Sequence, residues 1–181
     1  MRKALKIILA VFLAFVILSA LGLSVVFLDL ASYSATGGET LKVSKMGFGM
    51  ALVVYDPGIT GAAKDIASKI ASDIQDYGYQ VELVGIRNTT ASSVIANQYN
   101  VIVVGGPIYG GKASSSVQSY LSKLNAGNGA SVGVFGVGSF NTSNDQLYPT
   151  SHNLTVKYSL KIGTSENASE RCFFFVDQLL H

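Results

Sequence analysis

Three short runs dominate this chain: MALVVY (50–55), NVIVVGG (100–106) and SVGVFGVG (131–138), apolar, rich in β-branched residues, and each ending in glycine or a turn. A strand with one wet face alternates polar and apolar side chains, whereas a strand covered on both faces does not. These runs therefore require a sheet buried between two layers, and the intervening segments supply the cover. Residues 60–77 place Ala63, Ile66, Ala67, Ile70, Ile74 and Tyr77 at helical spacing, with Lys64, Asp65, Lys69, Asp73 and Asp76 on the solvated side and Gly78 as a stop. QVELVGI (80–86) reads as a further strand, ASSVIANQY (91–99) as a short helix, and 114–124 as a helix with Val117, Tyr120, Leu121 and Leu124 inward. LTVKYSLKI (154–162) alternates like a strand near an edge, and 165–180 closes the chain as a helix around CFFFV, where Cys172 reads as a core residue. Parallel strands need crossover helices, and the crossovers are right-handed. The order thus predicts an α/β fold with a doubly wound parallel sheet, its ligand-binding loops at the C-terminal strand ends.

Ahead of this unit, residues 7–28 (IILAVFLAFVILSALGLSVVFL) carry no charge over 22 positions. At about 1.5 Å per residue that is enough to cross a hydrocarbon core of about 30 Å. A helix of a soluble core would show a polar face, and a cleaved leader, for which Ala20-Leu21-Gly22 offers a site, would have an apolar region of only about 7–15 residues. The expectation is one N-terminal transmembrane helix. Arg2, Lys3 and Lys6 crowd the basic flank 1–6, while the far side begins with Asp29 and has no basic residue until Lys42. That bias predicts a cytoplasmic N-terminus, an extracytoplasmic domain, and a single-pass protein of the cell membrane whose partner through this helix is the lipid bilayer. Sequons at Asn88, Asn141, Asn153 and Asn167 suit that side. Residues 29–47 mix small polar residues and glycine as a flexible linker does, and 48–181 form the folded domain.

Charge and residue supply exclude several classes of function. A net charge of +2 offers no electrostatic footprint for nucleic acid. One cysteine rules out disulfide scaffolds and cysteine-based metal centres. Two histidines, His152 and His181, leave almost no material for a Ser-His-acid triad or a multi-histidine metal site. No catalytic side chain and no metal ligand set stands out.

The candidate site lies in three loops. After the first strand, YDPGITGAAKDIA (55–67) is a glycine-bearing turn running into a helix N-terminus, a place where backbone N–H groups suit a phosphate. Thr60 either adds a hydroxyl donor or caps the helix, and a plain tight turn accounts for the same residues. No Walker spacing is present. In VVGGPIYGGKASSSVQSYL (103–121), glycines around Pro107 and Tyr109 let the main chain approach a flat ligand, with the tyrosine ring as a stacking face. GVGSFN supplies Gly138, Ser139 and Phe140, a second flexible turn with a second aromatic. Together they describe a slot for a flat ring with a phosphate tail, or else two aromatics packed over a sheet edge.

These segments, YDPGITGAAKDIASKIASDIQDYGYQVELVGI, QYNVIVVGGPIYGGKASSSVQSYLSKL and SVGVFGVGSF, resemble the flavodoxin-like family over about residues 50–140, most closely at GGPIYGGK. The resemblance implies a flavodoxin-like, doubly wound five-stranded parallel sheet and bound FMN. By position, Gly58, Ile59, Thr60, Gly61 and Ala62 would hold the phosphate, Pro107, Ile108, Tyr109 and Gly110 would flank one side of the isoalloxazine, and Gly138, Ser139 and Phe140 the other. It further implies electron transfer with an unidentified redox protein or small donor or acceptor, the membrane-anchored carrier being the main reading.

The chain departs from the family's S/T-x-T-G-x-T phosphate loop. It keeps Thr60-Gly61 but has Asp56, Pro57, Ala62 and Ala63 around them and runs one residue longer. Two missing hydroxyls are worth about 3–6 kcal/mol of phosphate binding, Pro57 lacks an N–H, and Asp56 repels a phosphate if it points inward. Two alternatives follow: a flavin-free flavodoxin-fold interaction module with a degenerate phosphate loop, and a flavin-dependent quinone or porphyrinogen oxidoreductase.

Overall fold

The computed structural model describes residues 11–19, 37–41, 47–92, 98–126, 129–138, 143–148, 154–163 and 167–181. The chain divides into two compact units, Met1–Ser34 and Ala35–His181.

Within the first unit, residues 11–19 form a helix, α1, whose apolar side chains, among them Phe12, Phe15 and Leu18, are exposed. Among the described residues no helix is long and apolar enough to cross a membrane. The expected 22-residue span is corrected on that ground, and with it the membrane-anchored, single-pass reading, its lipid-bilayer partner and the topology built on Arg2, Lys3 and Lys6. The other residues of 7–28 lie outside those described.

The second unit is built on one mixed sheet of strands β1 (Gly38–Leu41), β2 (Gly49–Tyr55), β3 (Tyr79–Gly85), β4 (Val101–Tyr109), β5 (Lys112–Ala113), β6 (Ser131–Val137) and β7 (Tyr158–Ile162). The order is β1-β3-β2-β4-β6-β7, with β5 paired to β4. β3, β2, β4, β6 and β7 run parallel, which ranks the parallel strands 2-1-3-4-5 along the sheet, one of the two common doubly wound orders. The expected five parallel strands are therefore present inside a larger mixed sheet. β1 adds an antiparallel edge on β3 from within the stretch read as a linker, and β5 is the return arm of a short hairpin.

Helices cover both faces. α2 (Ala62–Asp76) and α6 (Ala168–Leu180) lie over Ala51, Val53, Val101, Val103 and Phe135. α3 (Thr89–Ser92), α4 (Ser115–Lys123) and α5 (Asn144–Leu147) contribute to the other layer, over Leu52, Val54, Ile102, Val104 and Val134. Neighbouring residues on β2 and β4 point to opposite faces and are buried on both, which is why those strands do not alternate. α2 buries the stripe expected of it, Ala63, Ile66, Ala67, Ile70 and Ile74. Asp73, expected on the solvated side, is instead 3% exposed. It is ion-paired with Lys69 one turn earlier on α2, and its Oδ2 has no hydrogen-bond partner.

Candidate functional site

The loop after β2 is where the carboxyl ends of the parallel strands open towards a ligand in such sheets. Asp56 N donates to the Gly105 carbonyl at 2.9 Å and so carries the β2–β4 pairing one residue past Tyr55. The Asp56 side chain then folds back over the turn. Its Oδ1 accepts from Gly58 N at 3.1 Å, an Asx turn, and its Oδ2 accepts from Ser114 Oγ at 2.7 Å. Ile59 N donates to the Tyr109 hydroxyl at 3.2 Å, and Ala62 N donates to Thr60 Oγ1 at 3.4 Å. Three loop amides are thus taken by side chains of the chain itself. Gly61, with φ 75°, is the N-cap of α2 and no side chain caps the helix, so Thr60 only closes the turn that leads into it.

Gly58 has φ 65°, and a Cβ there would stand 2.8 Å from Pro107 Cγ and 2.9 Å from Tyr109 Oη. Only glycine lets the end of β4 press this closely on the turn. The structure therefore brings Gly58 and Ile59 together with Pro107 and Tyr109.

Pro107, Ile108 and Tyr109 were expected in a loop beside that ring, and they belong instead to β4. Pro107 is in register with Val137 of β6, and Ile108 is buried. Gly110 (φ 55°) and Gly111 (φ 82°) form the two-residue reversal of a hairpin in which Ile108 faces Ala113 and Tyr109 faces Lys112. Two consecutive positive φ values match the turn twist that two-residue hairpins favour. GGPIYGGK is accordingly a strand and its turn, and the Tyr109 hydroxyl reaches across to hold Ile59.

Gly138 sits against Ile108, where a Cβ would come within 2.9 Å of Ile108 Cβ, and its N–H donates to the Ile162 carbonyl at 2.9 Å. Ser139 and Phe140 lie outside the described residues.

Sequence reasoning missed Ser114. It is 7% exposed, caps α4 by accepting from Val117 N at 3.4 Å, takes the Pro107 carbonyl with its own N–H at 3.0 Å, and donates its hydroxyl to Asp56. Its place just before a helical pattern signalled a cap. Nothing in the spacing signalled the reach of 58 residues back to Asp56.

These residues do not fit an FMN phosphate. Seating a dianion on the Gly58 and Ile59 amides would displace Asp56 and Tyr109 and leave a carboxylate beside it. Unit charges about 4 Å apart repel by about 4 kcal/mol at an effective dielectric near 20, or nearly a thousandfold in affinity. The reading of a membrane-anchored, FMN-binding electron carrier is corrected on this geometry and because no helix among the described residues is long and apolar enough to cross a membrane. Among the described residues no group of three or more His, Cys, Asp or Glu is arranged to hold a metal ion.

The family model described as "Flavodoxin domain" matches residues 52–171. Among solved structures, oxidised flavodoxin 2 from Bacillus cereus is similar at 18% identity and TM-score 0.52, covering 73% of this chain and 97% of its own. A flavodoxin from the domain Archaea is similar at 17% identity and TM-score 0.53, covering 73% and 99%. An NADH:FMN oxidoreductase in its apo form is similar at 12% identity and TM-score 0.55, covering 72% and 87%. At these identities the likeness is one of fold. No curated protein matches the chain in sequence.

Proposed function

Because the chain belongs to the flavodoxin-domain family, we propose that it is a member that keeps the fold but closes the phosphate loop on itself, a flavin-free interaction module acting through its surface. The observation that carries this is the latch: the Gly58 and Ile59 amides are held by Asp56 and Tyr109, and Asp56 is held in turn by Ser114. In a phosphate-binding turn those N–H groups point at the ligand. Here the anion they meet is the chain's own carboxylate. The family link supports FMN as the ligand to test, and the loop supports its exclusion.

The test is a fluorescence titration of FMN with the purified chain. The flavin is expected to stay unquenched at millimolar protein-to-ligand excess, and stoichiometric quenching would overturn the proposal. Asp56→Thr removes the competing charge and adds a hydroxyl, so this variant is expected to gain FMN affinity by up to about three orders of magnitude. The quinone or porphyrinogen oxidoreductase reading needs the same flavin and stands or falls with the same titration.

A further inference from the structure

A second concavity lies away from the latched loop, between α4 and the turn that follows β3. It has a volume of about 400 Å³, at the small end of the range of about 300–1,000 Å³ typical of ligand pockets. Ile86, Ala91 and Leu124 form its apolar floor. Tyr120 lends a ring whose hydroxyl is already engaged, donating to the Ala91 carbonyl at 2.9 Å, so the ring contributes surface and no free donor. Ser116 and Ser119 add hydroxyls from successive turns of α4.

The charged groups of the lining are of one sign. Arg87 comes from the turn after β3 and Lys123 from the last turn of α4, and among the described residues no carboxylate lines the space. Among the described residues neither side chain is ion-paired to an acidic group. A guanidinium also offers a planar fork of donors that pairs with carboxylate or phosphate oxygens.

We propose that this cavity binds a small aromatic anion, its ring against Tyr120 and Leu124 and its carboxylate or phosphate between Arg87 and Lys123. The volume suits a small ring system and is too small for a dinucleotide. The proposal does not depend on whether the loop after β2 takes FMN, since the two places share no residue.

Phenyl phosphate and salicylate serve as probes, with benzyl alcohol as the uncharged control, each titrated into the isotope-labelled full chain and followed by amide chemical shifts. Expected are saturable shifts at Arg87 and along 116–124 with both anions, and binding by benzyl alcohol at least tenfold weaker. Arg87→Gln with Lys123→Gln is expected to weaken both anions tenfold or more while the melting temperature holds, because both side chains are exposed. Ser116→Leu, which fills the cavity without touching a charge, is expected to abolish the shifts. The proposal is overturned if the shifts fall on 58–61 and Tyr109 instead, if the uncharged control binds equally well, if the double variant binds as the parent does, or if no saturable shift occurs.

Discussion

Gly105 shows how little room the strand centres leave. A Cβ on it would stand 2.3 Å from Phe135 Cδ1 and 2.4 Å from the Phe135 carbonyl oxygen, and the second of these cannot rotate away. Gly105→Ala is expected to lose about 3 kcal/mol or more, the upper end for overpacking a core, measured as a fall in the urea midpoint at unchanged slope. The glycine content of 103–111 was visible in the sequence and was read as freedom for a ligand to approach. At Gly105 it instead makes room for Phe135, and at Gly110 and Gly111 it turns a hairpin. A glycine announces close approach or positive φ without saying what approaches. Asp56 follows the same pattern. Its danger to a phosphate was legible from its charge and position, while its partner Ser114 was not, because a hydrogen bond across 58 residues leaves no trace in local spacing.

Among the elements, α6 separates pattern from outcome most clearly. Cys172 reads as core and is buried together with Phe175, Val176 and Leu179, at i, i+3, i+4 and i+7, whereas Phe173 and Phe174 are 55% and 54% exposed. Phe175→Ala is therefore expected to cost about 3–5 kcal/mol, and Phe173→Ala and Phe174→Ala, which lose ring contacts with Tyr77 and Tyr158, about 0.5–1.5 kcal/mol each, all read from urea unfolding. Equal losses at the three positions would contradict this packing. The helical period was available in the sequence and identifies Phe175 once the stripe is drawn through Cys172. The strands were legible for the same reason, since continuous β-branched runs have few alternatives to a doubly covered sheet. β1 was not: GETL has no strand pattern, and it is ordered by pairing with the β3 edge, Glu39 opposite Leu83 and Thr40 opposite Glu82.

At the scale of the molecule, several weak acids are held protonated by the fold. Burial pushes the Tyr120 phenol up to about 12. The Cys172 thiol is pushed up to about 11 by burial first and the nearby Asp73 second. Tyr99 is raised too, by burial and then by its hydrogen bond to Glu82, 2.7 Å long. A folded-state value above the unfolded one means that the folded chain holds its proton more tightly. The stabilisation is therefore complete below the unfolded values, about 8.5 for Cys and about 10 for Tyr, and is lost as pH rises towards the folded ones. The urea midpoint is expected to be insensitive to these groups between pH 7 and about 8 and to fall between about 9 and 12. Tyr120→Phe should flatten the part of that fall above about pH 10, and an unchanged alkaline limb in the variant would refute the assignment.

The α/β class, the parallel strands and most of the helices are legible in the residues alone, because hydrophobic period and covered strands are local properties of the chain. Which loop amides distant side chains engage emerges from folding. The Asx turn from Gly58 N to Asp56 is local, but the bonds from Ile59 N to the Tyr109 hydroxyl and from Ser114 Oγ to Asp56 join residues 50 and 58 apart, and they arise only once β2, β4 and α4 stand side by side.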